Sequence, residues 1–286
     1  MIDVFNIPSQ QQTFTFYATG NFQTWNKPRG AKMIEIFCLG GGGGGSTGTI
    51  TAANASGGAG GSSAGIVRGI IPAFLLPDTL YILVGRGGAA VVTSNQIGTS
   101  GAISYIGLQP STSEQTLICK SSTTAGQTTT APTISVVSLS AFGNLGLFTA
   151  IAGVAGGANG ATTPTAGGSQ AALGTSLVTG GGGGGGKSSV AFSPGGSITS
   201  ASAILVTPVV GGQTSAANGA DGYGTLQPFC GTGGAGGAGI ASSSGAGGIG
   251  GDGWFGCGGG GGAGTATAVA RSGKGGDGLV IITVIS

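Results

Sequence analysis

Gly181 through Gly186, followed by Lys187 and Ser188, satisfies the G-x-x-x-x-G-K-[ST] spacing of a phosphate-cradling loop. In such a loop consecutive backbone amides hold the phosphates, the lysine reaches the outer ones, and the chain opens directly into a helix. The segment that follows here, Ser189-Val-Ala-Phe-Ser-Pro194-Gly-Gly, cannot extend a helix. No apolar strand ends in the second carboxylate that such sites use for magnesium. Any polyglycine run ahead of Lys-Ser meets the same pattern. The expectation is no nucleotide chemistry, and a Lys187 whose removal leaves stability almost unchanged.

The other reactive residue types are sparse. Histidine is absent, which removes the commonest general base and metal ligand. Asp3, Glu35, Asp78, Glu114, Asp221, Asp252 and Asp277 are isolated in sequence, so a carboxylate pair for glycoside cleavage could only assemble in space. Asp221, Asp252 and Asp277 each precede a glycine, the mark of tight turns that need a positive φ. Cys38, Cys119, Cys230 and Cys257 show no CxxC spacing and are expected to be small buried apolar residues. Nine cations are scattered from Lys27 to Lys274, and no cluster could neutralise a run of phosphates. These residues point to no enzyme, no cofactor, no metal and no nucleic-acid partner.

What remains is a scaffold of an uncommon kind. Of 286 residues 68 are glycine and only 6% are charged, while 39% are hydrophobic. Disorder needs low hydrophobicity and high net charge, and collagen needs a strict Gly-X-Y register rich in proline; neither holds. Short β-branched runs at 13–17, 31–39, 66–71, 79–84, 102–106, 116–120, 134–139, 202–206 and 279–285 read as strands. No helical stripe lasts three turns. Between the strands lie glycine tracts, uninterrupted from Gly40 to Gly45, Gly180 to Gly186 and Gly258 to Gly262. Each glycine costs about 0.5–1 kcal/mol more chain entropy than alanine, so the tracts must allow packing that side chains forbid. Extended helices of three residues per turn, touching backbone to backbone and lying side by side in one layer, meet that need.

The expected fold is therefore all-β: a short-stranded β-sandwich or jelly-roll-like framework with packed polyglycine type II helices. One domain covers 1–286, with a soft change near Asn144 between a strand-rich part, 1–143, and a glycine-tract-rich part, 144–286, closed by strand 279–285. The start, Met1-Ile-Asp-Val-Phe5, shows no secretory pattern, and the greasiest stretch, 65–84, is broken by Arg68, Pro72, Pro77 and Asp78. Membrane insertion is not expected. Against so many small residues the aromatics stand out. Tyr223, Phe229, Trp254 and Phe255 sit inside glycine-dominated stretches, and Phe142 and Phe148 form a similar island. They either plug the ends of the glycine core or serve as contact anchors on loops.

Both ends of the chain carry a resemblance. Thr13-Phe-Thr-Phe16, then Trp25-Asn-Lys-Pro28-Arg-Gly30 and an alternating strand into polyglycine, resembles the opening of the glycine-rich domain of phage tail and fibre proteins. Gly273-Lys-Gly-Gly-Asp-Gly278 before Leu279-Val-Ile-Ile282 is similar to that family's closing signature. The glycine composition, without a matched motif, also resembles the polyglycine sandwich of fibre-tip adhesins, whose loops bind host receptors. The resemblance implies a structural virion protein of the tail or fibre, made in the host cytoplasm, that binds a receptor on the bacterial surface, protein or glycan. Its partners would be other virion proteins, in a homotrimer or on a trimeric fibre. The second implication is a capsid or baseplate decoration protein without receptor contact. Polysaccharide depolymerisation and ice binding stand behind both.

Overall fold

In the computed structural model, the described residues are 11–121, 146–163, 165–172, 178–200, 207–224 and 231–286. The expected strands at 134–139 and 202–206, and the boundary at 143, lie outside them. The described chain is all-β, without an α-helix. Eleven strands form at β1 (Gln12–Phe16), β2 (Gln23–Asn26), β3 (Met33–Leu39), β4 (Ile66–Pro72), β5 (Thr79–Leu83), β6 (Tyr105–Gly107), β7 (Leu117–Lys120), β8 (Leu147–Ile151), β9 (Gln170–Ala172), β10 (Ile198–Ser200) and β11 (Leu279–Ile285). One antiparallel sheet has the order β1-β11-β3-β4-β8 and a second has β2-β5-β6-β7. Strand β11 sits inside the first sheet with six of its seven residues buried, as its apolar alternation on both faces requires. Ile34, Ile36, Val280 and Ile282 of the first sheet meet Trp25, Leu80, Ile106 and Ile118 of the second in one core cluster.

Beyond the sheets, the strands run on as polyglycine. The tract after β3 donates its amides in three directions with a period of three. Gly41, Gly44 and Thr47 bond Ala102, Thr99 and Gln96; Gly42 and Gly45 bond Gly276 and Gly273; Gly43 and Ser46 bond Ser62 and Ala59. A β-strand alternates between two sides, whereas a three-residue turn addresses three neighbours about 120° apart. The order of tracts 271–278, 40–46, 57–64 and 152–160 continues the order β11-β3-β4-β8, so the sheet passes into the bundle without changing neighbours.

Deeper in, the tracts form closed rings. Tract 257–264 bonds six others: 40–46, 57–64, 180–186, 231–239, 248–253 and 271–276, each of which also bonds the next around the ring. Tracts 180–186 and 231–239 are centres of two further rings of the same kind. The three glycine runs marked in the sequence are therefore neighbours, with 258–262 touching both others, but they do not share a single flat layer. Amides that point three ways can be satisfied only by a two-dimensional array of helices.

Close approach dictates the glycine. A methyl group built on Gly183 would stand 1.9 Å from the carbonyl oxygen of Ala158, and one on Gly236 would stand 1.8 Å from that of Gly183. In tract 231–239 the non-glycines recur every third residue and are small. Thr232, Ala235 and Ala238 all donate to the same neighbour, at Tyr223, Ala220 and Ala217. Amide hydrogen exchange in 180–186 and 258–262 should be slower by orders of magnitude than at exposed Val190, because each hub amide opens only with its ring. Unprotected exchange throughout both hubs would sink the array.

Several sequence expectations change here. Residues 102–104 belong to the bundle and not to a strand, because Ser104 uses its hydroxyl to accept from Gly85 (3.0 Å) and to donate to Leu39 (2.6 Å). The Asp-Gly pairs are not positive-φ turns; glycines with positive φ are Gly20, Gly30, Gly245 and Gly256 among the described residues. Instead each aspartate accepts an amide from an adjacent tract: Asp221 from Asp252, Asp252 from Lys274, and Asp277 from Gly87, at 2.7–2.8 Å. Carboxylates and hydroxyls thus replace carbonyls along the rim, as Thr179 does for Gly233 and Ser272 for Val91.

Candidate functional site

The bundle has two ends of different chemistry. At the end next to the sheets, tract 247–253 turns back into 257–264 through Trp254-Phe255-Gly256-Cys257. The Cys257 amide donates to the Trp254 carbonyl at 2.8 Å. Gly256 has φ +67° while Phe255 does not, the pattern of a type II turn. A side chain at Gly256 would also strike Leu39 at 2.5 Å. The turn presents its two aromatics outward. Trp254 meets Phe255 edge to face with centroids 5.2 Å apart, and Phe255 meets Tyr17 at 5.9 Å. One face of the indole lies against the paired Gly224 and Gly231, where a Cβ would come within 2.7 and 2.8 Å of the ring. Trp254 is 43% exposed and Tyr17 is 55% exposed, while Phe255 is half-buried against the cluster containing Phe37 and Leu39.

The other sequence candidates are placed differently. Tyr223 packs on Ile198, Val209 and Ala235, and its hydroxyl donates to the Thr207 carbonyl. Phe148 lies on β8 directly opposite Gly69, with its ring over the position a Cβ would occupy, and leans on the main core. Phe142 and Phe229 lie outside the described residues. Tyr17, which sequence inspection passed over, joins the row because β1 pairs with β11 beside the turn. No local signal marks it.

The opposite end, the apex, gathers the loops that reverse the tracts: 47–56, 92–97, 161–163, 187–193, 213–218, 240–246 and 265–270. Bridges Ile50 to Thr265, Ala55 to Lys187 and Ala246 to Ala268 tie these loops together. Apart from Lys187 and the half-buried Phe192 their side chains are hydroxyls, amides and small or aliphatic groups, and Val92, Ile97 and Val190 are exposed. The single charged residue in these loops is Lys187, and it is fully buried. Such a surface can bind by apolar contact and neutral hydrogen bonds, but it cannot steer an ionic partner.

Lys187 overturns one expectation. Its Nζ donates to the carbonyls of Thr51 (3.3 Å) and Ala52 (3.0 Å), and its backbone pairs with Ala55 in both directions. Burial lowers its pKa from the ordinary lysine value. It is a structural tie for the apex loop 47–56 and not a dispensable surface residue. The six amides from Gly181 to Gly186 donate to Gly61, Gly234, Gly168, Gly58, Gly237 and Thr165. None of the six is left to hold a phosphate, and no helix follows.

A family model for a glycine-rich domain matches residues 17–284, from just after β1 into β11. The chain belongs to the glycine-rich domain family. The match takes in the bundle and both sheets apart from β1 and the last residue of β11, so in this glycine-rich domain sheets and polyglycine form one unit. No curated protein matches the chain. Among the described residues of this glycine-rich domain, no helix is long and apolar enough to cross a membrane. Nor do three or more His, Cys, Asp or Glu residues cluster to hold a metal ion.

Proposed function

We propose that the protein is a non-enzymatic structural component of a phage virion, carried on the tail or a tail fibre as a homotrimer or on a trimeric stalk. Its apex would contact a receptor on the bacterial surface. The observation that carries this reading is the gathering of loops at one end of a bundle whose amides are bonded in closed rings. Loops held on a rigid scaffold are the usual way to present a variable contact surface. The closing signature around Asp277 and its likeness to phage tail proteins supply the setting. With few charges available, affinity would come from desolvated anchors and repeated copies.

Two sets of anchors are testable. Val92, Ile97 and Val190 are exposed at the apex; Trp254, Phe255 and Tyr223 belong to the sheet end, where each also closes packing. Val190→Asp should leave the unfolding midpoint unchanged and lower adsorption of the protein to host cells at least about tenfold, by placing a charge in a dry contact. Trp254→Ala tests the aromatic row in the same assay. Adsorption unaffected by Val92→Asp, Ile97→Asp, Val190→Asp and Trp254→Ala alike would overturn receptor binding.

That outcome would favour a second role, as a capsid or baseplate decoration protein that touches only other virion chains. One feature speaks for it. Phe74 and Leu147 are 83% and 85% exposed at the sheet end, where apolar surface would be covered in an assembly.

A further inference from the structure

Cys38 and Cys119 belong to different sheets, on β3 and β7, yet both are fully buried in the same core cluster. The Cys38 thiol donates to the Ser104 carbonyl at 3.6 Å. Ser104 in turn bonds Ser121 through both its amide and its carbonyl, so the carbonyl that Cys38 bonds also holds the chain two residues beyond Cys119. Cys38 is the neighbour that, with burial, pushes the Cys119 thiol pKa up. No cysteine motif announces this pair, since the two lie 81 positions apart in sequence.

We propose that Cys38 and Cys119 are a modification site, a latent disulfide between the two sheets that a peroxide-class oxidant closes. The atoms balance simply. The Cys38 thiolate attacks one oxygen of hydrogen peroxide, breaking the O–O bond and giving a sulfenic acid; the departing hydroxide takes up the thiol's proton as water. The Cys119 sulfur then attacks the sulfenic sulfur, and the second water leaves with the Cys119 proton. Two thiols are oxidised by two electrons and one peroxide is reduced to two waters. The neighbouring Cys38 side chain, and after it burial, raise the pKa of Cys119, so the second step is slow in the closed protein. The bond would form slowly in an oxidising medium and remain open in a reducing one.

The bridge would fasten the sheet that leads into tract 40–46 to the sheet that leads into tract 84–91. It closes a loop of about 80 residues, for which the chain-entropy relation gives a gain of roughly 2 × 10³-fold in the folding equilibrium constant. It would also make the core resistant to opening without altering the apex, so the inference stands whether or not the apex binds a receptor.

The test is peptide mapping of the purified full-length protein after exposure to hydrogen peroxide, with alkylation before digestion. The expected product has an intact mass lower by two hydrogens and a linked peptide pair containing Cys38 and Cys119. Cys38→Ala and Cys119→Ala should each abolish that pair. Oxidised wild type should unfold at higher denaturant than the reduced form. Three results would overturn the proposal: both thiols still open to alkylation after unfolding, sulfinic acids in place of a bridge, or a bridge that joins Cys230 or Cys257 instead.

Discussion

Gly183→Val should destabilise the protein by at least about 3 kcal/mol, enough to leave much of it unfolded at 37 °C. Gly183 sits in tract 180–186, bonded to six neighbours, and its missing side chain points at the Ala158 carbonyl oxygen, 1.9 Å from where a Cβ would lie. In an ordinary core an oversized side chain can be relieved by a rotamer change nearby. Here the obstacle is backbone, itself held by bonds such as that from Gly168 to the same Ala158 carbonyl at 2.7 Å. Making room means moving tract 152–160 and breaking several ring bonds together. Gly30→Ala supplies the comparison. Gly30 has φ +83° and nothing within 4 Å of its Cβ position, so alanine there meets only backbone strain of about 1 kcal/mol. Denaturant midpoints for the two variants separate the causes. A Gly183→Val protein as stable as Gly30→Ala would mean the tracts are looser than their hydrogen bonds describe.

The sequence carries the array in compressed form, and what it leaves out follows from how each signal arises. Strands β3, β4, β5 and β11 are legible because apolar alternation reflects burial against a sheet, which is local to the strand. The tracts are legible as closely packed because only glycine allows such approach. Their neighbours are not. Gly43 reaches Ser62, 19 positions on, while Gly259 reaches Gly43, 216 positions back, and a run of identical residues has no side chains with which to specify a partner. Partner choice is instead set at the tract ends, by the sheet order and by interruptions such as Ala235, which a linear reading cannot connect. Strand β8 escaped notice because its five residues alternate weakly; it is fixed by Phe148 covering Gly69, a complement 79 positions away. The aromatic row was half legible. Trp254 and Phe255 stand out by composition, whereas Tyr17 joins them only through the pairing of β1 with β11. The Asp-Gly pairs misled because the dipeptide is common in turns, and nothing in it distinguishes a turn from a carboxylate that accepts the next tract's amide.

Lys187→Ala should cost about 2–4 kcal/mol, where the glycine-lysine-serine pattern taken as a surface accident implies no cost. The side chain is fully buried, and its removal leaves both a cavity and two carbonyls, Thr51 and Ala52, without their donor. Lys187→Met restores most of the volume but not the donors, and should recover part of the loss. The pair of variants also separates the charge from the packing through pH. Burial lowers the Lys187 pKa in the folded state below its unfolded value, so between those two values the unfolded chain binds more protons. Stability contributed by this residue therefore rises as pH climbs from the depressed folded value toward about 10.4, the ordinary lysine pKa. Cys119, whose folded pKa is raised, acts in the opposite sense over an overlapping range, so wild-type behaviour alone is not diagnostic. The difference between wild type and Lys187→Met cancels Cys119 and should grow in favour of wild type with rising pH. Denaturant unfolding at neutral pH and near pH 10 measures it. A difference that stays flat, with Lys187→Ala as stable as wild type, would return Lys187 to the surface and leave loop 47–56 to be held by its backbone pairing with Ala55 alone.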